Sequence, residues 1–368
     1  MPKIKIAMIA KENMPKRGGF GRHVHELSKA LNELEDVEVT LFTRSGRSLK
    51  DSDVEVRETP WLNLGNEVIS SFTAYPAIIS RIKDMEKEFD LIHGHALEPF
   101  PVSVARKMNR LDIPFVYTLH GIGGDHVSRE YLKPLAKFLH KPEKYMVRNA
   151  DRVIAVSEHT RKEALDQYKP DPERITAINN GVDIEKFSSE YEFDNKILFV
   201  GHMVSRKGPD ILLDAFSKLE DEDLELVYVG DGRMKKELQE KVEKKNLGTR
   251  VSFKSGVSDE ELRELYSESI LVLPSAYEGF GMVYVEAMAS RAPVIATKDT
   301  AIESLIDDGE NGFLCERDSE TIADTLEELI EDKELIAEIS ENARANAENF
   351  DWINIAQETR EVYRKALD

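Results

Sequence analysis

Residues Ile270–Ala287 carry the stretch that decides the fold. Ile270–Leu273 is a short apolar run (ILVL), and Pro274–Ala287 follows it as PSAYEGFGMVYVEA. The run predicts a buried strand, the glycines predict a loop, and the apolar residues from Met282 onward predict a helix. A strand, a glycine loop and a helix in that order are typical of a parallel α/β sheet, in which ligands lie at the carboxyl ends of the strands.

The loop and the start of its helix offer two kinds of ligand-binding group. The free N–H groups of a helix start attract phosphate, and Gly279 and Gly281 let the backbone approach it. Glu278 lies in the loop and Glu286 lies one or two turns into the helix. Carboxylates in these positions can accept hydrogen bonds from sugar or ribose hydroxyls. By pattern alone, the stretch is also compatible with a plain glycine turn beside two solvated glutamates.

Short apolar strands alternate with amphipathic helical stretches along all 368 residues. The alternation predicts two doubly wound α/β domains, spanning residues 1–192 and 193–349. The boundary follows from the turn-forming Asn179–Asp183 and the polar Ser188–Glu192. Residues 319–349 show one helical pattern. The predicted strands are Ile4–Ile9, Val37–Phe42, Leu91–His93, Phe115–Leu119, Arg152–Val156, Lys196–Val200, Leu224–Val229, Val251–Phe253, Ile270–Leu273 and Val294–Thr297.

Charge and cysteine content exclude several functional classes. The net charge is -20, and residues 1–190 hold 29 basic and 29 acidic side chains, so residues 191–368 hold 50 − 29 = 21 basic and 70 − 29 = 41 acidic. This balance disfavours a nucleic-acid-binding protein. The sequence contains no run of 18 apolar residues, so it predicts no membrane-spanning helix. Cys315 is the single cysteine, which excludes a disulfide within the chain and suits the reducing cytoplasm.

Several motifs together resemble the signature of the retaining glycosyltransferases of family 4. The spacing Glu278-x7-Glu286, with Gly-Phe-Gly inside it, is the most specific of them. The other matching motifs are Gly18–Val24 (GGFGRHV), Thr118–Gly121 (TLHG), Ala150–Ser157 (ADRVIAVS), Asn180–Asp183 (NGVD), Val200–Gly208 and Val229–Gly232 (VGDG). The resemblance covers nearly the whole chain and implies the GT-B fold, in which two Rossmann-like domains face a central cleft.

The resemblance also implies a role for individual residues. His120, Lys207 and Glu278 are the implied catalytic residues: His120 and Glu278 contact the transferred sugar, and Lys207 neutralises the diphosphate. Glu286 is expected to bind the ribose. The implied donor-binding set is Gly18, Gly19, Arg206, Lys207, Glu278, Gly279, Phe280, Gly281, Met282, Val283 and Glu286. His202 departs from the family, which usually has an arginine there, and Arg206-Lys207 is also compatible with a solvated basic turn.

The function implied is retaining transfer of a hexose-type sugar from a UDP- or GDP-linked donor to a hydroxyl acceptor. The acceptor can be a glycan, a small molecule or a lipid-linked group. No cofactor and no metal is expected: His93 and His95 end a strand, but no cysteine, aspartate or glutamate stands at matching spacing. The alternatives are a nucleotide-sugar epimerase or phosphorylase on the same fold, or a non-catalytic nucleotide-sugar-binding protein.

Two further segments of the chain carry expectations. The last helix, residues 350–368, is expected to pack back on the N-terminal domain as in the family, with Trp352 and Tyr363 as anchors. The segment Arg129–Arg148 places basic and apolar residues at helical spacing. Its basic residues are Lys133, Lys137, Lys141, Lys144 and Arg148. It predicts either peripheral contact with an anionic membrane, at the inner face, or a solvated helix face.

Overall fold

A computed structural model describes residues 3–13, 18–47, 53–64, 67–122 and 133–368. The chain forms two compact units. The first contains Met1–Gly181 and Trp352–Asp368, and the second contains Val182–Asp351. Within the described residues, no helix combines the length and the apolar composition that crossing a membrane requires.

The first unit is built on a seven-stranded sheet. The strand order is β3-β2-β1-β4-β5-β6-β7, and every neighbouring pair is parallel. The strands are β1 Ile4–Ile9, β2 Val37–Arg44, β3 Glu55–Thr59, β4 Leu91–His95, β5 Phe115–Leu119, β6 Arg152–Ala155 and β7 Ile175–Ala177. The helices are α1 Gly19–Glu33, α2 Glu67–Thr73, α3 Tyr75–Glu88, α4 Phe100–Lys107, α5 Lys133–Asn149 and α6 Glu158–Gln167.

The second unit is built on a six-stranded parallel sheet in the order β10-β9-β8-β11-β12-β13. The strands are β8 Lys196–Val200, β9 Glu225–Val229, β10 Val251–Lys254, β11 Ser269–Leu273, β12 Val294–Thr297 and β13 Phe313–Cys315. The helices are α7 Pro209–Phe216, α8 Lys235–Lys244, α9 Asp259–Ser267, α10 Met282–Ala289, α11 Ser319–Glu331 and α12 Lys333–Ala347, with single 3₁₀ turns at Ser205–Lys207, Ala301–Ser304 and Glu348–Phe350.

The apolar runs become strands because their side chains are buried by helices on both faces of the sheet. All five residues of β11 and of β5 are buried. Side-chain caps begin several helices: the Ser157 hydroxyl accepts from the N–H of Thr160, and the Ser258 hydroxyl accepts from the N–H of Glu261. These caps satisfy N–H groups that have no partner inside the helix. The predicted fold class, α/β with two doubly wound parallel sheets, is therefore confirmed.

The structure differs from the predicted elements in places where the apolar pattern is weak or continuous. The strands β3, β7 and β13 were not predicted, because each is a sheet edge with at most one fully buried residue. The single helical pattern of residues 319–349 is interrupted at Asp332. The Asp332 side chain accepts from the N–H groups of Glu334 and Leu335 and so begins a second helix.

The boundary between the units lies after Gly181, earlier than residue 192 where the sequence placed it. The intervening segment is tied to the second unit by its main chain. The N–H of Val182 donates to the carbonyl of Phe350, and the N–H of Glu192 donates to the carbonyl of Ser267. These hydrogen bonds hold residues 182–192 against the second unit, and the polar composition of that segment gives no sign of them.

The last helix, α13 Trp352–Leu367, belongs to the first unit and packs against α1. Trp352 and Tyr363 are buried. Arg360 and Arg364 both pair with Asp36, at 3.1 and 2.7 Å. Residues far apart in sequence thus complete one core.

Candidate functional site

Both sheets have a point at which the strand order reverses, and polar side chains gather there. In the first unit it lies between β1 and β4, and in the second between β8 and β11. Loops that leave neighbouring strands in opposite directions open a crevice at such a point, which is where parallel sheets bind ligands.

In the second unit, the turn Ser205–Lys207 after β8 meets the loop after β11. The Lys207 ammonium forms an ion pair with Glu278 Oε1. The Ser275 hydroxyl donates to the same oxygen at 2.7 Å, and an Arg206 guanidinium nitrogen lies 3.9 Å from Glu278 Oε2. Two cationic groups and one carboxylate therefore share one site, and the interpretation of Arg206-Lys207 as a solvated turn is wrong for the buried Lys207.

The protonation states of this cluster follow from burial and from its charges. Burial opposes ionisation of Glu278, but the neighbouring Lys207 and Arg206 hold the pKa of its carboxyl below the ordinary value. Burial lowers the pKa of the Lys207 ammonium, and Arg206 adds to that effect while Glu278 opposes it. The cluster is thus an ion pair with an additional positive charge beside it.

The position of Arg206 is fixed by the same loop. Its guanidinium donates to the carbonyl of Tyr277 at 2.6 Å, and its own carbonyl accepts from the N–H of Ala276 at 2.7 Å. Gly208 is required at the end of the turn. Its φ is +65°, and a Cβ there would lie 2.4 Å from the carbonyl oxygen of Pro274. The close approach of the two loops is what brings Lys207 to Glu278.

Gly281 precedes the first residue of α10 and has the left-handed backbone conformation that favours glycine. Its φ is +93°, and a Cβ would lie 2.4 Å from Ile302 Cδ1. The helix start places the N–H groups of Met282 and Val283 beside the loop, where Met282 is buried and Val283 half-buried. The Phe280 side chain points into the core and packs edge-on against Phe350, with ring centroids 5.9 Å apart. Only the backbone of Phe280 is therefore available to a ligand.

Glu286 is buried on the second turn of α10. The Tyr266 hydroxyl donates to its Oε2 at 3.4 Å. Glu278 and Glu286 are both only 6% exposed, so the pattern's other interpretation, two solvated glutamates, is wrong.

In the first unit, four histidines gather at the ends of β4 and β5 and on α1. His95 Nδ1 and His120 Nε2 share a hydrogen bond of 3.1 Å. The ring of His23 lies 4.7 Å from the ring of His120 and 5.6 Å from that of Trp352, centroid to centroid. His93 bonds Tyr363 and Thr118, both at 2.7 Å. His120 is the most accessible of the four.

Burial lowers the pKa of all four imidazoles. The pKa falls to about 4 at His23 and to about 3 at His93. Burial also lowers the pKa of His95 and His120, and the neighbouring histidines lower it further. The cluster is therefore neutral at pH 7 and offers hydrogen-bond donors and acceptors without charge.

The remaining predicted residues lie at the edges of these clusters. Gly18 and Gly19 begin α1 and are exposed, Gly279 is half-buried, and His202 is exposed after β8. Gly18 and Gly19 belong to the first unit, whereas Gly279 and His202 belong to the second.

Four residues of these crevices were not named as site residues from the sequence. Ser275 lies within the motif Pro274–Ala287, and His23 lies within the motif Gly18–Val24. The number of residues that separates Ser275 from Glu278, and His23 from Gly18-Gly19, was the sequence signal that could have identified them. Arg44 and Glu98 form a buried ion pair. Arg44 also donates to Ser71 Oγ at 2.5 Å and lies 4.7 Å from the Trp61 ring. No local pattern identifies this pair, because β2 and the segment after β4 meet only in the folded unit.

The basic segment lies only partly within the described residues. Arg129–Leu132 and the side chains of Lys133 and Lys137 fall outside them. Lys144 donates to the carbonyl of Gln167 at 2.9 Å, and Arg148 donates to the carbonyl of Tyr168 at 2.5 Å. Lys141 is exposed. At least two of the basic side chains thus tie α5 to the end of α6.

Two family profiles match the chain. The profile described as "Glycosyltransferase Family 4" matches residues 17–186, and "Glycosyl transferases group 1" matches residues 183–346. An uncharacterised glycosyltransferase of Methanocaldococcus jannaschii is 32% identical, over 96% of both chains. D-inositol 3-phosphate glycosyltransferase 2 of Catenulispora acidiphila is 27% identical, over 95% of this chain and 91% of that protein.

Solved structures show the same fold. Sucrose-phosphate synthase from Thermosynechococcus elongatus superposes with a TM-score of 0.82 at 22% identity, covering 99% of each chain. HepE of Anabaena, solved in complex with UDP-glucose, has a TM-score of 0.78 at 24% identity, covering 98% of this chain and 99% of that one. The two units therefore form a GT-B glycosyltransferase fold.

Proposed function

We propose that this chain, which belongs to the family 4-type glycosyltransferases of the GT-B fold, transfers a hexose from a UDP- or GDP-linked sugar to a hydroxyl acceptor with retention of configuration. One observation carries the proposal. Lys207, Arg206 and Glu278 form a buried ionic cluster at the reversal point of the second sheet, next to the start of α10. That combination suits a sugar diphosphate, which has anionic oxygens beside neutral hydroxyls.

The chemistry proposed is stabilisation of the leaving group. When the bond between the sugar and the diphosphate breaks, negative charge develops on the phosphate. The buried Lys207 and the N–H groups of Met282 and Val283 then face that charge, and donors held in place before the reaction stabilise such charge strongly. In the structure Glu278 forms the ion pair with Lys207. When the donor binds, we propose that Lys207 pairs with the phosphate instead of with Glu278. The Glu278 carboxylate can then accept a hydrogen bond from a sugar hydroxyl.

Glu286 is proposed to accept hydrogen bonds from the ribose, and His120 to contact the sugar as a neutral ring. The backbones of Gly18, Gly19, Gly279 and Gly281 complete the proposed donor site. We propose no organic cofactor, and no divalent ion in turnover, because cationic side chains and helix N–H groups already supply the positive charge. Chelator should leave the rate unchanged. An enzyme that stops in chelator and recovers with Mg²⁺ or Mn²⁺ contradicts this part.

The test is a thermal-shift screen of UDP-, GDP- and ADP-sugars, followed by an acceptor array. The array includes inositol phosphate, because several relatives are D-inositol 3-phosphate glycosyltransferases, together with glycans and lipid-linked alcohols. The anomeric configuration of the product, read by NMR, decides retention. Interconversion of donor sugars indicates an epimerase, sugar phosphate formed with inorganic phosphate indicates a phosphorylase, and binding without turnover indicates a sensor.

We also propose that this protein is cytoplasmic and that its helix α5 contacts an anionic membrane. Lys141 is the described basic side chain free to face a surface, and Lys133 and Lys137 share its helical spacing. Vesicle co-sedimentation at low and high salt tests the contact. Binding to anionic vesicles that is lost in Lys133→Gln/Lys137→Gln/Lys141→Gln supports it, whereas equal binding to neutral vesicles, or none, contradicts it.

A further inference from the structure

We propose that His23, His95 and His120 form a binding site for one transition-metal ion, with Zn²⁺ as the reference ion. One ring nitrogen from each residue lies within 4.8 Å of the other two. In a tetrahedral zinc site with Zn–N bonds of 2.0–2.1 Å, the ligand nitrogens are about 3.3 Å apart. The His95 Nδ1 to His120 Nε2 distance is already 3.1 Å. Closing the site requires the His23 nitrogen to move closer to these two atoms from its position within 4.8 Å of them.

Within the part of the chain that the structure describes, the lack of regular hydrogen bonds at the buried ring nitrogens of His23 indicates a missing ligand. His23 is 3% exposed and His95 is fully buried. Neither ring nitrogen of His23 makes a regular hydrogen bond to any residue that the structure describes. The Asn180 side chain lies near His23 and raises its pKa against the effect of burial, and Asn180 Oδ1 likewise makes no regular hydrogen bond within the described residues. Buried polar atoms without partners are rare and indicate a bound water or ion.

The protonation state of the cluster fits a metal site. A metal ion binds the neutral imidazole, and burial holds the pKa of all three rings below the ordinary value. The hydrogen between His95 and His120 can move to the other nitrogen of its ring, so binding at neutral pH needs no net loss of a proton. Three imidazole ligands favour Zn²⁺, Cu²⁺ or Ni²⁺ over Mg²⁺ and Ca²⁺.

The surroundings define the walls and the entrance. Both ring nitrogens of His93 form hydrogen bonds, one with Tyr363 and one with Thr118. His93 therefore lines the site and is not a fourth ligand. His120 is partly accessible and lies beside Phe20, with ring centroids 4.9 Å apart. Lys11 lies over the Phe20 ring at 4.8 Å, and Glu12, 3.8 Å from its ammonium, also pairs with Arg47 at 3.2 Å. The fourth position is left to water or to a ligand hydroxyl.

The ion is not part of the proposed turnover. It would occupy a lone pair of His120, so the metal and the proposed sugar contact of His120 compete. Zn²⁺ should then inhibit a glycosyltransferase that Mg²⁺ leaves unchanged. Metal binding itself is read without any turnover, so its failure is distinguishable from failure of the proposed function.

The experiment uses the full chain after treatment with chelator and dialysis. Co²⁺ is titrated and followed by visible absorption, and Zn²⁺ is titrated by calorimetry. We expect one ion per chain, a Co²⁺ spectrum typical of tetrahedral coordination, and its loss when Zn²⁺ is added. His23→Gln and His95→Gln should each weaken binding at least tenfold. His159→Gln on α6, a histidine outside the cluster, should leave binding unchanged.

Two outcomes overturn the proposal: no stoichiometric binding by the wild-type chain, or binding that survives both cluster substitutions. Circular dichroism shows whether each variant folds. If the cluster variants do not fold, NMR of the wild-type chain labelled with ¹⁵N-histidine decides. Zn²⁺ must then shift the imidazole nitrogens of three of the nine histidines, and a uniform response or none at all rejects the site.

Discussion

The two units bury polar groups at the same place in their sheets but in opposite electrostatic states. In the second unit Lys207, Arg206 and Glu278 are charged and compensate one another. In the first unit His23, His95 and His120 are neutral because burial lowers their pKa. A buried charge needs an opposite charge, whereas a neutral ring needs only a hydrogen-bond partner or a metal. The same topology therefore supports an anion-binding cluster and an uncharged one.

The ionic cluster gives the largest expected effect. Lys207→Met keeps the side-chain volume but removes the charge proposed to face the leaving phosphate. We expect kcat to fall by about 10²- to 10³-fold, the range seen when one preorganised donor is removed. The measurement is steady-state nucleotide release. Lys218→Met, which breaks an exposed pair with Glu320, is the control and should leave kcat unchanged.

Loss of folding would imitate that result, because Glu278 is left buried without its main partner. Breaking a buried pair destabilises by about 3–5 kcal/mol. The double variant Lys207→Met/Glu278→Gln removes both charges, so stability should recover while activity stays low. A double variant that recovers activity would show that neither the Lys207 charge nor the Glu278 charge is needed for turnover.

The neutral cluster should make the first unit sensitive to acid. The pKa of His23 is about 4 in the folded chain against 6.5 as the ordinary value. Between these two pH values the unfolded chain binds more protons, so stability falls as the pH falls from 6.5 towards 4. For His23 the loss approaches about 3 kcal/mol. About 2 kcal/mol of that loss falls between pH 7.5 and pH 5, and urea unfolding at these two pH values measures it.

Both tryptophans, Trp61 and Trp352, belong to the first unit, so tryptophan fluorescence, excited selectively over tyrosine, follows that unit. His23→Gln should reduce the difference in unfolding midpoint between the two pH values, and His159→Gln should not. An equal acid response in His23→Gln and the wild type would show that the charge state of His23 does not control this unit.

Glu286 tests the hydrogen-bonding part of the ionic site. Glu286→Ala should weaken donor binding by about 1–3 kcal/mol, because hydrogen bonds from hydroxyls to its carboxyl group are lost. We expect the donor KM to rise more than kcat falls. Glu328→Ala, an exposed glutamate on α11, is the control. A wild-type KM in Glu286→Ala would remove Glu286 from the donor site.

The smallest effect concerns the bond between α13 and the neutral cluster. Tyr363→Phe removes the hydroxyl that bonds His93 Nδ1 at 2.7 Å. We expect the first unit to lose about 1 kcal/mol, and more if the nitrogen is left without a partner. Tryptophan fluorescence in urea measures the loss. Tyr145→Phe, at a half-buried tyrosine whose ring packs on Phe100, should have little effect. Equal midpoints for both variants would contradict a stabilising role for the bond.

The sequence predicted elements well where a local pattern is complete. The ten predicted strands all occur, and most of them are apolar runs whose residues are largely buried, whereas β10 is an edge strand with one buried residue. The unpredicted β3, β7 and β13 lie at or beside sheet edges, where few side chains are buried and the apolar signal is weak. The break at Asp332 was missed because a helix pattern continues across it, and only the cap distinguishes two helices from one.

The candidate site was predictable in the same uneven way. Glu278 and Glu286 stand in one loop-helix stretch, so local spacing and the family resemblance identify them together. The pairing of Lys207 with Glu278 joins residues 71 positions apart. It depends on β8 lying beside β11, whereas the next strand along the chain, β9, lies on the other side of β8.

The sequence by itself determined the alternation of strands and helices, the glycine loop before α10 and the carboxylates that flank it. These features depend on side chains a few residues apart, whose burial and backbone preferences are readable along the chain. Only the tertiary structure decided that Lys207 is buried against Glu278, and that His23 from α1 meets His95 and His120 from β4 and β5. Strand order and packing place those groups together, and both depend on the energy of the whole fold.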